Sequence, residues 1–157
     1  MTIALVPEIE TIRYGREIFP GAESEFNRLF NNHGVEARNR VFLLDFKRLH
    51  QIEFEKRLVW MVARTVEMGK PVGYSLHYWY FDMHYRNDKV AVDDLWYVDP
   101  EFRRKGIGRM VKMMGHAELA KQGVTRVSDT IRMSYGHNLL MRDIGFEPAG
   151  IRWLKDL

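Results

Sequence analysis

A chain of 157 residues, 46% hydrophobic and 13% aromatic, suits one globular domain and excludes the disordered and fibrous classes. Its formal charge of +3 is mild and its basic residues are dispersed, with one cluster at Arg103, Arg104, Lys105 and Arg109, unlike the basic stripe or tail of most nucleic-acid binders. The sequence has no cysteine, which excludes a disulfide framework and a Cys-ligated zinc site and fits a reducing cytoplasm.

Residues 1–7 are apolar but too short for a signal-peptide core, and no apolar run is long enough to span a bilayer, so a cytoplasmic protein with no membrane partner is expected. No repeat or linker divides the chain, so residues 1–157 read as a single domain. Residues 2–6 are predicted as a short strand. Pro7 suits a first helical turn, and Glu8, Ile9, Ile12, Glu17 and Ile18 predict a helix ending near Phe19-Pro20-Gly21. Residues 22–30 read as a second helix, stopped by Asn31-Asn32-His33-Gly34. Within residues 42–57, Leu44, Phe46, Leu49, Ile52 and Phe54 predict a partly helical stretch of imperfect period. Residues 58–66 and 71–81, rich in Val and aromatics and joined by Glu67-Met68-Gly69-Lys70, predict a hairpin. A polar loop over 82–88 leads to a strand over 89–98 that breaks at Asp99-Pro100. A helix over 107–122 follows, closed by Gly123, with Ile107, Met110, Val111 and Met114 on one face and Glu118 falling there too. A strand over 124–131, a short helix over 136–143 and a last strand over 146–154 complete the order. Hairpins first and a strand–helix–strand unit afterwards predict an α/β (α+β) domain with a mixed, mostly antiparallel sheet.

The chemistry concentrates after residue 98, in Asp99-Pro-Glu-Phe-Arg-Arg-Lys-Gly-Ile-Gly-Arg109. A strand ends, a turn follows, and two glycines one residue apart open a helix. Glycine lets the backbone bend sharply and approach a ligand closely. The free N–H groups of a helix start converge where the dipole favours negative charge. Such a nest suits a pyrophosphate, with Arg103, Arg104, Lys105 and Arg109 around it. It is no Walker loop, because Glu101 stands where the first glycine belongs, and no Rossmann turn, because Val111 stands at the third.

Arg103-x-x-Gly106-x-Gly108, preceded by Tyr97-Val98-Asp99-Pro100, resembles the acetyl-CoA pyrophosphate loop of the GNAT (Gcn5-related N-acetyltransferase) superfamily. The resemblance continues through Gly123-Val124 to Gly145-Phe146-Glu147-Pro148. It covers residues 58–157, with the first third matching in outline. The stretch from His84-Tyr85-Arg86 through Asp94 to Pro100 is most similar to small GNAT proteins encoded by bacteriophages. The resemblance implies a single GNAT-type domain whose fourth and fifth strands splay apart, with acetyl-CoA as acyl donor and no metal. It also implies that the backbone of Trp96, Tyr97 and Val98 pairs with the pantetheine arm, and that Arg103, Arg104, Lys105, Gly106, Ile107, Gly108 and Arg109 hold the pyrophosphate.

Acyl transfer to a primary amine needs a base for the amine and an acid for the departing thiolate. Asp94 is the candidate base: it shares strand parity with Trp96 and Val98, and shielding by Trp79 or Trp96 would raise its proton affinity. A strand-end aspartate paired with an arginine, with Asp93 beside it, is the alternative. Many family members carry a tyrosine acid four residues before the Gly-Phe pair; here that position is Met141, which leaves Tyr135 as the candidate acid. His77, His84, His116 and His137 show no i, i+4 pair and read as scattered core or surface residues with no metal. Tyr74, Tyr78, Trp79, Tyr80 and Phe81 read as sheet cover, some of it lining an acceptor cleft beside His84, and Met110, Met113 and Met114 as helix packing. An N-acetyltransferase with a small-molecule or protein amine acceptor is expected. The alternatives are a non-catalytic CoA-binding or regulatory GNAT-fold protein, and a phage-type modifier of a protein or nucleic acid in the host cytoplasm.

Overall fold

The computed structural model describes residues 9–14, 23–38, 44–66, 69–130 and 138–149, the first of these as backbone. The strands are β1 (Ile9–Tyr14), β2 (Leu58–Thr65), β3 (Pro71–Phe81), β4 (Lys89–Val98) and β5 (Val124–Asp129); the helices are α1 (Glu23–Arg38), α2 (Phe46–Phe54), α3 (Ile107–Lys121) and α4 (Asn138–Asp143). The strands form one sheet in chain order, β1-β2-β3-β4-β5. The first four pair antiparallel and β5 joins β4 in parallel, the mixed, mostly antiparallel sheet that the element order predicts. A parallel neighbour requires a crossover, and α3 supplies it. None of the described helices is long and apolar enough to cross a membrane.

Each face of the sheet buries its own core. On one, Phe26, Leu29 and Phe30 of α1 press on Trp60, Val62, Tyr74, Leu76 and Tyr97, and Phe46, Leu49 and Ile52 of α2 close the edge. Phe30 meets Tyr74 edge-on at 5.2 Å between ring centroids and Phe26 lies 5.0 Å from Trp60, geometries that ring quadrupoles favour. On the other face, Ile107, Met110, Val111 and Leu119 of α3 pack on Val59, Met61, Ala63, Val72, Trp79, Ala91 and Val98. Each such fully buried large side chain contributes about 1.5–3 kcal/mol. Burial on both sides explains why β2 reads as a continuous apolar run where a half-exposed strand would alternate.

Several elements differ from the sequence-based expectation. Residues 9–14 fall within the predicted first helix yet form β1, paired along β2 from Thr65 to Trp60. Ile9, Thr11 and Ile12 are β-branched, and the open edge of β2 outweighs a weak helical period. The strand predicted over residues 2–6 lies outside the described residues. Helix α1 runs through Asn31-Asn32-His33-Gly34 to Arg38. Gly34 is buried there and His33 Nδ1 bonds the Tyr74 hydroxyl at 2.7 Å, tertiary contacts that offset the cost of about 1 kcal/mol for a helical glycine. Helix α2 is the ordered part of residues 42–57 and starts where the Asp45 carboxylate accepts the Arg48 N–H at 3.0 Å. On α3, Met114 is exposed and Lys112 holds a buried position, while Glu118 pairs with Lys121 at 3.3 Å. Residues 146–149 carry no regular structure, and the rest of the predicted last strand lies outside the described residues.

Candidate active site

Strands β4 and β5 pair only as far as Asp93 opposite Asp129. Among the described residues no β4–β5 pair is found past that point, and the β4 edge from Asp94 to Val98 borders a cleft. The cleft, of about 700 Å³, is bounded by residues 93–98 of β4, His33 and Glu36 of α1, the start of α3, and Asp129 and Thr130. That volume lies in the range of small-molecule sites. Trp79 instead donates to the Gln122 side-chain amide oxygen Oε1 at 2.8 Å near the far end of α3, and neither the Tyr78–Phe81 aromatics nor His84 borders the cleft.

A β-bulge decides where Asp94 points. Leu76 pairs with Leu95 and His77 with Asp93, which leaves Asp94 as the extra residue. Asp93 therefore faces α3, while Leu95 and Tyr97 join the α1/α2 core and Trp96 and Val98 the α3 core. The expected parity of Asp94 with Trp96 and Val98 fails at this bulge: the charge of Asp94 is felt by Tyr74 and Arg48, on the α1/α2 side. Burial first and repulsion by Asp93 second push the Asp94 carboxyl up, against a lowering pull from Arg48. Asp94 is nonetheless an exposed residue lining the cleft.

The turn into α3 is open. Arg104 and Gly106 both take positive φ, 62° and 79°, and a Cβ built on Gly106 would meet nothing within 4 Å. Left-handed residues in such a turn rotate successive N–H groups toward one side. The first intrahelical bond there runs from the Met110 N–H to the Gly106 carbonyl at 3.0 Å, so the amides of Ile107, Gly108 and Arg109 precede the helical ladder. Gly108, which also lines the cleft, has a packing role as well. An added Cβ would lie 2.7 Å from Trp96 Cζ2, so its bareness admits the indole beneath the turn.

The basic residues divide into two groups. Arg103 braces the turn: Nε donates to the Val98 carbonyl at 2.8 Å and a guanidinium N–H to Glu36 of α1 at 2.5 Å. Arg28 of α1 adds a second brace, donating to buried Asp99 at 2.6 Å and to the Pro71 carbonyl at 2.7 Å. Arg109 pairs with Asp143 of α4 at 2.9 Å. Arg104 and Lys105 are exposed and have no carboxylate partner among the described residues, so they are the cations left for an anion. Tyr97 lies stacked on His33 at 5.1 Å; burial, then Asp99 and Glu36, push its hydroxyl up to about 12. Met141 is buried in α4, and Tyr135 and His137 lie outside the described residues.

Behind the cleft sits a buried ionic group that the sequence reading missed. Lys112 of α3 bonds Asp93 Oδ2 and, at 2.6 Å, Asp129 Oδ2, bridging the last paired residues of β4 and β5. Its ammonium also lies 4.7 Å from the Trp96 ring centre. Burial alone would raise Asp93, but His116, His77 and Lys112 hold it below the usual range; Asp129 is raised by burial and by Asp93, against Lys112. His77, read as one of four scattered histidines, lies 3.5 Å from Asp93, and His116 lies 3.7 Å from it. Burial pulls His77 down to about 4, with Asp93 opposing. His84 is exposed in its loop. The available signals were a lysine on the apolar face of a helix and two adjacent aspartates inside a strand.

The sequence model of the acetyltransferase (GNAT) family matches residues 23–139. No curated protein matches the sequence. Among solved structures the chain is similar to an aminoglycoside acetyltransferase from an uncultured soil metagenomic sample, with a TM-score of 0.73, 18% identity, and 95% of this chain and 96% of that one covered. It is similar to glucosamine-6-phosphate N-acetyltransferase from Arabidopsis thaliana, with a TM-score of 0.72, 16% identity and coverage of 94% and 98%. It is also similar to a transcriptional regulator from Bacillus halodurans C-125, with a TM-score of 0.74, 14% identity and coverage of 94% and 100%. Identities this low speak to fold alone. The family match takes in α1, the bulged strand, the glycine turn and α3, and on that match the chain belongs to the acetyltransferase (GNAT) family.

Proposed function

We propose that the protein is an acetyl-CoA-dependent N-acetyltransferase that moves the acetyl group to a primary amine by direct attack on the thioester. The observation that carries this reading is the continuity of the cleft. The β4 edge from Asp94 to Val98, beyond the last β4–β5 pair among the described residues, lines the cleft and runs directly into a helix start beside the exposed Arg104 and Lys105. The donor fits these residues: Gly106 leaves the turn open, the amides of Ile107, Gly108 and Arg109 precede the helical ladder, and Arg104 and Lys105 are exposed. Those groups would hold the pyrophosphate, with Arg103 stiffening the turn from behind, and the backbone of Trp96, Tyr97 and Val98 would take the pantetheine arm.

Acetyl-CoA brings an acyl group already activated as a thioester, so the chain's own task lies at the amine. Asp94 takes the amine's proton as attack proceeds, and its raised proton affinity brings it closer to that task than a solvated aspartate. Tyr135 is the proposed acid; buried Met141 has no proton to give. The acceptor is proposed to be a small molecule or protein amine, with a nucleic acid or other macromolecule as the alternative.

Isothermal titration with acetyl-CoA tests the donor site, and no binding at tens of micromolar ends the reading. Asp94→Asn should leave acetyl-CoA affinity unchanged and lower turnover on an accepted amine by about 100-fold or more. Tyr135→Phe should slow turnover without changing donor affinity. Met141 at the position where relatives carry the acid favours a second reading, a CoA-binding protein without transfer. Donor binding with no acetylation across amino sugars, aminoglycosides and peptide N-termini would select it. Retardation of DNA that persists at physiological salt would point to a nucleic-acid target.

A further inference from the structure

The buried histidines behind the cleft have a protonation pattern that the hydrogen bonds fix. The Ser75 hydroxyl has one hydrogen, and it goes to the Val111 carbonyl at 3.0 Å, an atom that can only accept. His77 Nε2 lies 3.0 Å from the same hydroxyl oxygen, so the hydrogen in that contact belongs to the imidazole. A neutral His77 protonated at Nε2 has a bare lone pair on Nδ1. That lone pair faces Asp93 Oδ1 at 3.5 Å, and both atoms are sealed from water with no hydrogen-bond partner among the described residues. Two lone pairs confronting each other in a low-dielectric interior are unfavourable unless something positive lies between them. The Nε2 of His116, also buried, approaches the same carboxylate, 3.7 Å from Asp93 Oδ2. One donor atom from each of His77, Asp93 and His116 lies within 4.8 Å of the others.

We propose that His77 Nδ1, Asp93 Oδ1 and His116 Nε2 form a binding site for a divalent transition-metal ion of the zinc type. Two imidazole nitrogens and one carboxylate oxygen are the donor set that Zn2+, Co2+ and Ni2+ take, and three protein donors leave a fourth position for water. The surrounding bonds are those of a metal-bound histidine. Nε2–H of His77 is held by Ser75, which is held in turn by Val111, so the ring's tautomer and orientation are set before the ion arrives. Lys112 bonds Asp93 Oδ2, the oxygen beside His116, while Oδ1 faces His77. Gly115 shows how closely the helix approaches: a Cβ there would lie 2.3 Å from His77 Nε2, so only glycine lets α3 bring His116 down onto the sheet.

The three ligands come from β3, β4 and α3. An ion here therefore clamps helix to sheet immediately before the bulge that aims Asp94. Its role is positional, and the proposal stands independently of acetyl transfer.

The test uses the full untagged chain, stripped with a chelator and dialysed, with Zn2+ or Co2+ alone as probe. One equivalent should bind, Zn2+ should raise the melting temperature, and Co2+ should show the visible bands of an ordered low-coordinate site. His116 is partly exposed, so His116→Ala keeps the fold and should weaken Zn2+ binding by at least about tenfold; Ser75→Ala should weaken it by about tenfold by freeing the His77 ring. A folded wild-type chain that takes up neither ion at millimolar metal overturns the proposal. So does a His116→Ala variant of wild-type affinity, or a nitrogen-resolved NMR spectrum showing His77 protonated on Nδ1 in a chain that ignores Zn2+.

Discussion

The two faces of the sheet are held by different physics. The α1/α2 face is a cluster of aromatic rings, Phe26, Phe30, Trp60, Tyr74 and Tyr97, with a polar join between His33 and Tyr74. The α3 face has an aliphatic core of similar extent, yet it also encloses Lys112, Asp93 and His77, each nearly devoid of exposed surface. Apolar contact is non-directional and degrades gradually, whereas a buried charge depends on a particular partner atom. The aromatic face supplies bulk stability, and the charged face fixes positions beside the fork where β4 and β5 part.

Removing one charge should therefore expose the contrast most sharply. Lys112→Met strands Asp93 and Asp129 together and should lower stability in urea by about 3–5 kcal/mol. Adding Asp93→Asn to that variant should recover part of the loss, because an amide costs less to bury than an unpaired carboxylate. If the second change only adds to the damage, the cluster is held by packing and the comparison fails. On the aromatic face Phe30→Ala should cost about 3 kcal/mol and Phe30→Leu about 1 kcal/mol. A graded series there, against an all-or-none response at Lys112, is the expected signature.

Legibility in the sequence follows the same division. The hairpin, β4, the glycine turn and α3 were readable because their signals are local: β-branched and aromatic runs, Asp99-Pro100, and two glycines before an amphipathic stretch. Strand β1 was not, since six residues without a clear period take their structure from the open edge of β2. The stop expected at Asn31–Gly34 was overridden by His33 reaching Tyr74 and Tyr97 across the sheet. In the site, the open turn was legible from Gly106, but the work of Gly108 was not, because Trp96 lies twelve residues away in sequence and directly beneath it in space. The bulge at Asp94 reverses the alternation on which its facing was read, and no residue type in β4 announces it. The histidine group draws on three elements, which a spacing rule for one helix cannot see.

His33 offers a pH measure of the aromatic face. Burial first lowers its pKa to about 4, with Arg103 adding to that and Glu36 pulling the other way; Tyr74 and Tyr97 also lie against the ring. The unfolded chain takes up this proton near 6.5. The stabilising contribution is therefore fully present above that pH and is lost as pH falls toward 4, amounting to about 2 kcal/mol for a ring still partly wetted. His33→Gln should flatten that part of the stability profile between pH 6.5 and 4. An unchanged slope would mean that the ring is as solvated when folded as when unfolded.

The smallest effects come from the two glycines of the turn, and their order separates backbone demand from packing demand. Gly106 needs its positive φ and has open space around it, so Gly106→Ala meets only the left-handed penalty of about 1 kcal/mol. Gly108 is helical, and its substitution drives a methyl into Trp96, whose ring is hemmed from another side by the Lys112 ammonium. Gly108→Ala should cost about 1–3 kcal/mol by thermal melts. It should also weaken acetyl-CoA binding more than Gly106→Ala does, because the displaced indole lies under the amides of the helix start. If the two costs come out in the reverse order, Trp96 yields easily, and the turn owes its geometry to Gly106 alone.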